Sequence, residues 1–492
     1  MKSEFRMLIG GEQIGSTSQA TMPCISPTDG TEWATVPQAT EADVASAVSA
    51  ARQAFDGAWV NASGVERARL LTRLADLLDE NAPELARMET TDNGKVLRET
   101  ISQVHFAART FRYYAGYADK LTGDVIPLED GRIFDYTIWE PRGVVALLTA
   151  WNSPIALLAN KLPAALATGN CAVVKPSEHA SATSLAVGEL VTEAGFPPGV
   201  INIVTGGADV GTWLASSDGI DGLSLTGGVE TGRKIAEIAS RNLVPLTLEL
   251  GGKSSNIIFS DAPMDQAING AVAGIFAAAG QTCVAGSRLL VEARVYEEVI
   301  NRVAERATRV RLGDPLDMET EMGPVGNPAQ CERVLRFIEG AREQGASVLA
   351  GGARVTTGNL SKGLFVAPTV LGGVTSEMTV AREEIFGPVL SVIPFETEEE
   401  AVEIANGTNF GLAAGIWTKD ARRMHQLPRR LKAGVVWVNT YRTNAAQAPF
   451  GGVGLSGYGR ERGWYGLLEY INVKNIMVDT DPAERDPFVI RT

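Results

Sequence analysis

GVVALLTAWNSPIALLANKLPAALATGNCAVVKP, residues 143–176, reads as a buried strand, a helix and a second buried strand. The outer runs are short and apolar, whereas the segment between them has the length of a helix. The alternation continues through 181–196 (helix), 200–207 (strand), 210–217 (helix), 222–228 (strand), 230–242 (helix) and 246–252 (strand). Repeated alternation implies parallel strands joined by right-handed crossovers, with ligands at the carboxyl ends of the strands. The stretch therefore predicts an α/β fold with a Rossmann-like, nucleotide-binding sheet.

The chain of 492 residues exceeds a single typical core and predicts two large domains. Residues 40–118 are helix-rich, with apolar side chains at three- and four-residue spacing, and precede the Rossmann-like block. A second α/β segment runs from about 253 to 470. Between the first two blocks, 125–141 carries two β-rich runs around Asp130-Gly131, a strong hairpin signal. This hairpin either packs on its own domain or meets a partner.

Composition excludes several classes of function. The formal charge of −14 comes from 44 Lys+Arg against 58 Asp+Glu, without a long block of either sign, so nucleic acid and anionic membranes are unlikely partners by composition. The N-terminus lacks the apolar stretch of a secretory signal. Four scattered cysteines, without a CxxC pair, form neither a disulfide framework nor a metal site. We expect a cytoplasmic protein without a bound metal.

Three distant segments carry reactive side chains: WNSP (151–154), LTLELGGKS (246–254) and GQTCVAGSR (280–288). A thiolate from Cys283 attacks a carbonyl carbon, the carboxylate of Glu249 activates water, and the amide of Asn152 stabilises an oxyanion. This set fits oxidation of an aldehyde through a thioester. Two alternatives remain, namely that Cys283 is a small buried hydrophobe, or that it belongs to a cysteine–histidine dyad, although no histidine lies in these segments.

Seven motifs occur in the order found in the aldehyde dehydrogenase superfamily, which the chain resembles over nearly its whole length. They are WNSP (151–154), KPSE (175–178), LTGGVETG (225–232), LELGGKS (248–254), GQTC (280–283), EEIFGP (383–388) and PFGGVGLSGYGRE (449–461). The resemblance implies a dinucleotide-binding domain formed by 1–122 and 142–252, and a catalytic domain formed by 253–470. It also implies a small β oligomerisation element formed by 123–141 and 471–492, and hence a homodimer or homotetramer.

The resemblance assigns catalytic roles residue by residue. Cys283 resembles the nucleophile, and Asn152 the oxyanion donor that acts with the Cys283 backbone N–H. Glu249 resembles the general base that hydrolyses the thioester, which favours the hydrolytic branch over the branch that transfers the acyl group to coenzyme A. Lys161 and Glu461 match positions that support the site.

The resemblance also identifies a cofactor site. Lys175 and Glu178 match positions near the adenosine ribose, where a carboxylate repels the 2′-phosphate of NADP, so we expect NAD rather than NADP. The remaining matched positions are Thr149, Ala150, Trp151, Gly207, Gly211, Thr226, Gly227, Gly228, Glu384 and Phe386. Most relatives have serine where this chain has Gly228, so only backbone contacts to the pyrophosphate are expected there.

Positions that match the aldehyde pocket are polar where many relatives are aromatic or apolar. They are Ser153, Asn160, Arg442, Thr443 and Asn444, followed by Phe450. We expect a polar small-molecule aldehyde, with Arg442 holding a carboxylate; alternatively, Arg442 pairs with a local carboxylate. Two other functions remain open at this point: a specialised semialdehyde dehydrogenase of a catabolic pathway, and a dinucleotide-binding relative without turnover.

Overall fold

The computed structural model describes residues 3–483 and residue 488. The strands are β1 (Met7–Ile9), β2 (Glu12–Ile14), β3 (Thr21–Ile25), β4 (Glu32–Pro37), β5 (Val125–Ile126), β6 (Ile133–Pro141), β7 (Val144–Thr149), β8 (Cys171–Pro176), β9 (Ile201–Ile203), β10 (Gly222–Thr226), β11 (Leu246–Glu249), β12 (Ser255–Ile258), β13 (Arg288–Glu292), β14 (Ser347–Ala350), β15 (Thr369–Gly372), β16 (Val389–Phe395), β17 (Phe410–Gly411), β18 (Ala413–Trp417), β19 (Val435–Val438), β20 (Val453–Gly454), β21 (Gly457–Tyr458) and β22 (Ile471–Asp479).

The helices alternate with these strands over much of the chain. They are α1 (Glu41–Asp56), α2 (Gly64–Glu80), α3 (Ala82–Asn93), α4 (Leu97–Ala115), α5 (Pro154–Ala167), α6 (Ala182–Ala194), α7 (Ala208–Ser216), α8 (Val229–Arg241), α9 (Met264–Phe276), α10 (Tyr296–Thr308), α11 (Pro328–Glu343), α12 (Thr379–Arg382), α13 (Glu398–Asn406), α14 (Ala421–Gln426) and α15 (Gly463–Leu468). Among the described residues, none of these helices is long and apolar enough to cross a membrane.

The first sheet has the order β2-β1-β9-β8-β7-β10-β11-β21 among the described residues. Strands β7 to β11 are parallel neighbours, and every residue of β7 and β8 is buried, as helices on both faces require. The strands and helices predicted between 143 and 252 are confirmed. The order reverses between β7 and β10, and such a switch point opens a ligand crevice at the carboxyl ends of the strands.

The second sheet has the order β14-β15-β16-β13-β12-β18-β19 within the described residues, and its central pairs are parallel. The chain returns to the first sheet before residue 470, where the sequence placed the end of the catalytic domain. Strand β21 pairs with β11, and the side chains of Leu467 and Tyr470 are buried in the core of the first domain. Their apolar surface draws this segment back to that core.

A smaller sheet, β22-β6-β5, carries the segments expected to form the oligomerisation element. Strand β22 pairs with β6 over nine residue pairs, from Ile471 opposite Pro141 to Asp479 opposite Ile133. The hairpin predicted within 125–141 is confirmed, because β5 pairs antiparallel with β6, but β5 has only two residues and the connection spans residues 127–132. Residues 484–487 and 489–492 of the predicted tail lie outside the described residues.

Candidate active site

The loop that carries Cys283 follows α9 and has an uncommon backbone. Ala278 and Ala279 have φ of 52°, and Gly280 has φ of 71°, so three successive residues adopt left-handed conformations. A side chain at Gly280 would meet the carbonyl oxygen of Gly387 at 2.1 Å, which explains the glycine at this position. Such strained turns persist where surrounding contacts hold them, and they cluster at functional sites.

Gln281 fixes this loop from both sides. Its side chain donates to the carbonyl of Ala278 and accepts from the backbone N–H of Gly326, at 3.2 and 2.8 Å. Beyond Cys283, the hydroxyl of Tyr441 donates to the carbonyl of Val284 at 3.0 Å. These bonds hold the intervening thiol in one position, as a nucleophile requires.

Asn152 joins the Rossmann-like sheet to the cysteine loop. It lies just after β7, and its Nδ2 donates to the carbonyl oxygen of Gln281 at 2.8 Å. An amide group carries two N–H donors, so the second one remains for an oxyanion. The structure therefore brings Asn152 beside the loop of Cys283, as expected from the motifs.

Glu249 ends β11 and lies in the same site. Its side chain is 3% exposed, and neither carboxylate oxygen has a hydrogen-bond partner among the described residues. Burial raises the pKa of Glu249 well above its usual value, and the charge of Glu461 adds to this effect. Burial, followed by the charges of Glu249 and Glu384, raises the pKa of Cys283 to about 12. A half-buried thiol and an unpartnered buried base thus lie in the same site.

Lys161 and Glu461 form a buried ion pair behind this site. Their side chains are 0% and 3% exposed, and Lys161 Nζ also donates to Ser224 Oγ at 2.8 Å. Thr226 Oγ1 approaches Glu461 at 3.5 Å. Because Lys161 lowers the pKa of Glu249 and Glu461 raises it, the pair acts electrostatically on the base.

Residues after β7 and β8 line the crevice at the switch point of the first sheet. Thr149 ends β7 with an unpartnered buried hydroxyl, and Ala150 and Trp151 follow it. At the end of β8, Lys175 Nζ donates to Glu178 at 3.3 Å. Burial opposes the shift, but the charge of Lys175 lowers the pKa of Glu178 and keeps the carboxylate ionised.

Two helix N-termini face the same edge of the sheet. Gly207 and Gly228 precede α7 and α8, and neither helix has a side-chain cap there. Their first N–H groups are suited to pyrophosphate, since uncapped donors and the helix dipole attract anions. A Cβ at Gly228 would contact nothing within 4 Å, which leaves open space where relatives have serine. Gly211 lies within α7, whereas the Gly227 N–H is already bound to the Glu249 carbonyl.

Glu384 and Phe386 approach from the second domain. Glu384 accepts from the backbone N–H of Gly252 at 2.9 Å, and burial raises its pKa to about 7. Phe386, with φ of 58°, packs edge-on against Trp151 at 5.5 Å between ring centroids. A dinucleotide that reaches from the crevice to Cys283 fits these features. They are the unpartnered hydroxyl of Thr149, the uncapped N-termini of α7 and α8, and the carboxylate of Glu384.

Three of the six expected pocket residues contact one buried guanidinium, which sequence reasoning missed. Arg462 donates to the side-chain oxygens of Asn160 and Asn444, each at 2.9 Å, and stacks on Phe450. Ser153 Oγ accepts from Lys95 Nζ at 2.6 Å.

Arg442 and Thr443 lie in the loop after β19. Arg442 Nη1 donates to the carbonyl of Ala273 at 3.3 Å, and this arginine has no ion pair with a described residue. Thr443 is exposed, and its hydroxyl contacts that of Thr440. No carboxylate of the described residues therefore lies within ion-pair distance of Arg442. Within the described part of the chain, no cluster of three or more His, Cys, Asp or Glu side chains is placed to hold a metal ion.

Comparison with known proteins identifies the family. The model of the aldehyde dehydrogenase family matches residues 14–476. This chain belongs to that family. One relative of this aldehyde dehydrogenase is a (Z)-2-((N-methylformamido)methylene)-5-hydroxybutyrolactone dehydrogenase of Acinetobacter baylyi. The two sequences are 43% identical over 99% of this chain and all of the relative.

Two solved structures resemble the fold of this aldehyde dehydrogenase. An NAD⁺ complex of aldehyde dehydrogenase from Bacillus cereus has a TM-score of 0.95 and 42% identity, with 97% of each chain covered. A point mutant of betaine aldehyde dehydrogenase from Staphylococcus aureus, also with NAD⁺, has a TM-score of 0.97 and 37% identity, covering 99% of this chain and all of that one.

Proposed function

We propose that this aldehyde dehydrogenase oxidises an aldehyde to its free carboxylic acid, with NAD as the electron acceptor and a thioester on Cys283. The observation that carries the proposal is Glu249, whose two buried oxygens lack a hydrogen-bond partner beside the thiol. A carboxylate kept free in this way is suited to take a proton from the thiol and later from water. This arrangement supports hydrolysis of the thioester rather than transfer of the acyl group.

The first step is attack of the Cys283 sulfur on the aldehyde carbon. Because the pKa of the thiol is raised, a base must take its proton, and Glu249 is the nearest unpartnered carboxylate. The carbonyl oxygen becomes an oxyanion that accepts from the free N–H of Asn152 and from the Cys283 backbone. Both donors are neutral, so they stabilise charge without titrating.

Bound NAD supplies the acceptor for the hydride that leaves the former aldehyde carbon. Lys175 and Glu178 are suited to the adenosine ribose, and the N-termini of α7 and α8 to the pyrophosphate. Glu384 is suited to the second ribose, for which it would exchange its bond to Gly252. Glu178 also repels a 2′-phosphate, which supports a preference for NAD over NADP.

Hydrolysis ends the cycle. Once Glu249 has lost the first proton to solvent, it deprotonates a water molecule that attacks the thioester carbon; the C–S bond then breaks, which releases the acid, and the Cys283 thiolate leaves and recovers a proton from Glu249. This step requires the ionised form of Glu249. Its rate should therefore rise as the pH increases through the pKa of Glu249, which is raised above the usual value.

The proposal extends to the assembly and the location of the protein. The exposed apolar side chains of β6 and β22 support a homodimer or homotetramer, and the four free thiols support a reducing, cytoplasmic location.

Replacing Cys283 with Ala tests the function. The variant is expected to form no NADH from any aldehyde, while its affinity for NAD stays within about threefold, as measured by calorimetry. Turnover above about 1% of the wild-type value would contradict the role of Cys283.

A further inference from the structure

Arg462 is a buried cation without an anionic partner. Its guanidinium lies over the rings of Phe106 and Phe450, with its central carbon 5.1 and 4.7 Å from their centroids. Its two hydrogen bonds go to the neutral oxygens of Asn160 and Asn444, and no carboxylate of the described residues lies within ion-pair distance. A buried charge normally has a counterion, because desolvation is costly.

The guanidinium lies close enough to the reacting groups for their charges to interact. Its charge is one of the influences that lower the pKa of the Cys283 thiol and of Glu249, although burial raises both more strongly. The neighbouring carboxylate Glu461 is held by Lys161. Nε and Nη1 are engaged by asparagine oxygens, while Nη2 makes no hydrogen bond to a described residue. The two rings fix the plane of the guanidinium, so its remaining donors point in a defined direction.

Two further cations lie on this side of the site, also without ion pairs to the described residues. Lys95 is 5% exposed, and its Nζ donates to Ser153 and Gln103. Burial lowers the pKa of Lys95, and the charge of Arg442 adds to that effect. Of the nearby acids, Glu99 accepts from the backbone N–H of Ala278, and Glu89 accepts from that of Ile155 through one oxygen while its other oxygen has no partner among the described residues.

We propose that Arg462 determines substrate specificity by binding a carboxylate carried by the aldehyde substrate, with Lys95 and Arg442 adding to the attraction. The inference rests on the proposed function, since it concerns the substrate of the same thiol. A carboxylate supplies the missing counterion and accepts hydrogen bonds from the free N–H groups of the guanidinium. An aldehyde with a quaternary ammonium group, such as betaine aldehyde, meets repulsion instead.

The test compares three aldehydes with the purified full-length enzyme and NAD. They are 5-oxopentanoate, pentanal of equal carbon count, and betaine aldehyde as the cationic probe. We expect kcat/KM to decrease in that order, with at least about a tenfold ratio between the acid and the alkanal. Replacing Arg462 with Met should reduce that ratio by about 10- to 100-fold, mainly by raising KM for the acid.

Two other variants separate recognition from structure. Arg423→Met is the matched control, because Arg423 stacks on Phe259 at 3.9 Å in a region outside this site; the ratio between the acid and the alkanal should not change. Arg462→Lys keeps the positive charge but not the bidentate geometry of the guanidinium. It should therefore reduce the kcat/KM ratio between the acid and the alkanal less than Arg462→Met does. If the methionine variant fails to fold, Arg462→Lys alone tests the role of Arg462.

The results distinguish the two proposals. Pentanal oxidised as well as 5-oxopentanoate, or a ratio that neither Arg462 variant changes, would overturn the role of Arg462 while leaving the proposed function intact. Failure of the wild type to form NADH with any of the aldehydes would overturn the proposed function itself.

Discussion

The buried pair of Lys161 and Glu461 gives a prediction for both stability and pH dependence. Replacing Lys161 with Met keeps most of the side-chain volume but leaves the carboxylate of Glu461, which is 3% exposed, without its counterion. Breaking a buried pair from one side costs about 3–5 kcal/mol in free energy of unfolding. The loss of the bond from Nζ to Ser224 adds about 1 kcal/mol.

The pH effect has a defined sign. Lys161 lowers the pKa of Glu249, so its removal raises that pKa further, and the acid limb of kcat should move to higher pH. Glu461 raises the same pKa, so the double variant Lys161→Met/Glu461→Leu should move the limb back. The double variant should also recover most of the stability, because no uncompensated charge remains.

Urea unfolding and pH profiles of kcat with pentanal measure both effects. Lys419→Met, at an exposed position, is the control and should change the free energy of unfolding by less than about 0.5 kcal/mol. A Lys161→Met variant as stable as the wild type, or an acid limb that moves to lower pH, would refute this account of the pair.

The remaining predictions concern the cofactor and the assembly. The wild type should favour NAD over NADP by at least about tenfold in kcat/KM, roughly 1.4 kcal/mol, and Glu178→Gln should reduce the ratio because the repulsion of the 2′-phosphate is removed. Equal ratios for the two proteins would show that Glu178 does not discriminate. Replacing Val473 and Met477, each 62% exposed on β22, with Glu should lower the molar mass found by light scattering. A monomeric wild type at micromolar concentration would contradict the oligomer.

The sequence predicted the first sheet well because its strands are continuous apolar runs with few competing interpretations. Residues 144–149 and 171–176 are buried throughout, so their period and length identify them directly. The prediction was less accurate for segments whose position depends on long-range tertiary contacts. The sequence did not predict that β21 returns to pair with β11, because this pairing is a long-range contact.

The proximity of Asn152, Glu249 and Cys283 was also predictable, since each lies in a motif with a proposed chemical role. Arg462 was missed although it directly follows Glu461 in GRERG. Its meaning depends on Asn160, 302 positions earlier in the chain, and on two aromatic rings from separate segments. No local spacing reveals such a convergence. The one local signal that could have identified Arg462 is its position next to the motif glutamate.

The central claim is that a thioester forms on Cys283 and that Glu249 hydrolyses it. Mass spectrometry of acid-quenched Glu249→Gln, mixed with NAD and an aldehyde, tests this most directly. The amide is nearly isosteric but cannot accept the proton of water, so hydrolysis should slow by about 10²- to 10⁴-fold. The account predicts that NADH approaches one per active site in a first phase that is itself slowed, because the amide cannot take the thiol proton either, and that a peptide containing Cys283 gains the acyl mass. An unmodified Cys283 during slow steady turnover would contradict it.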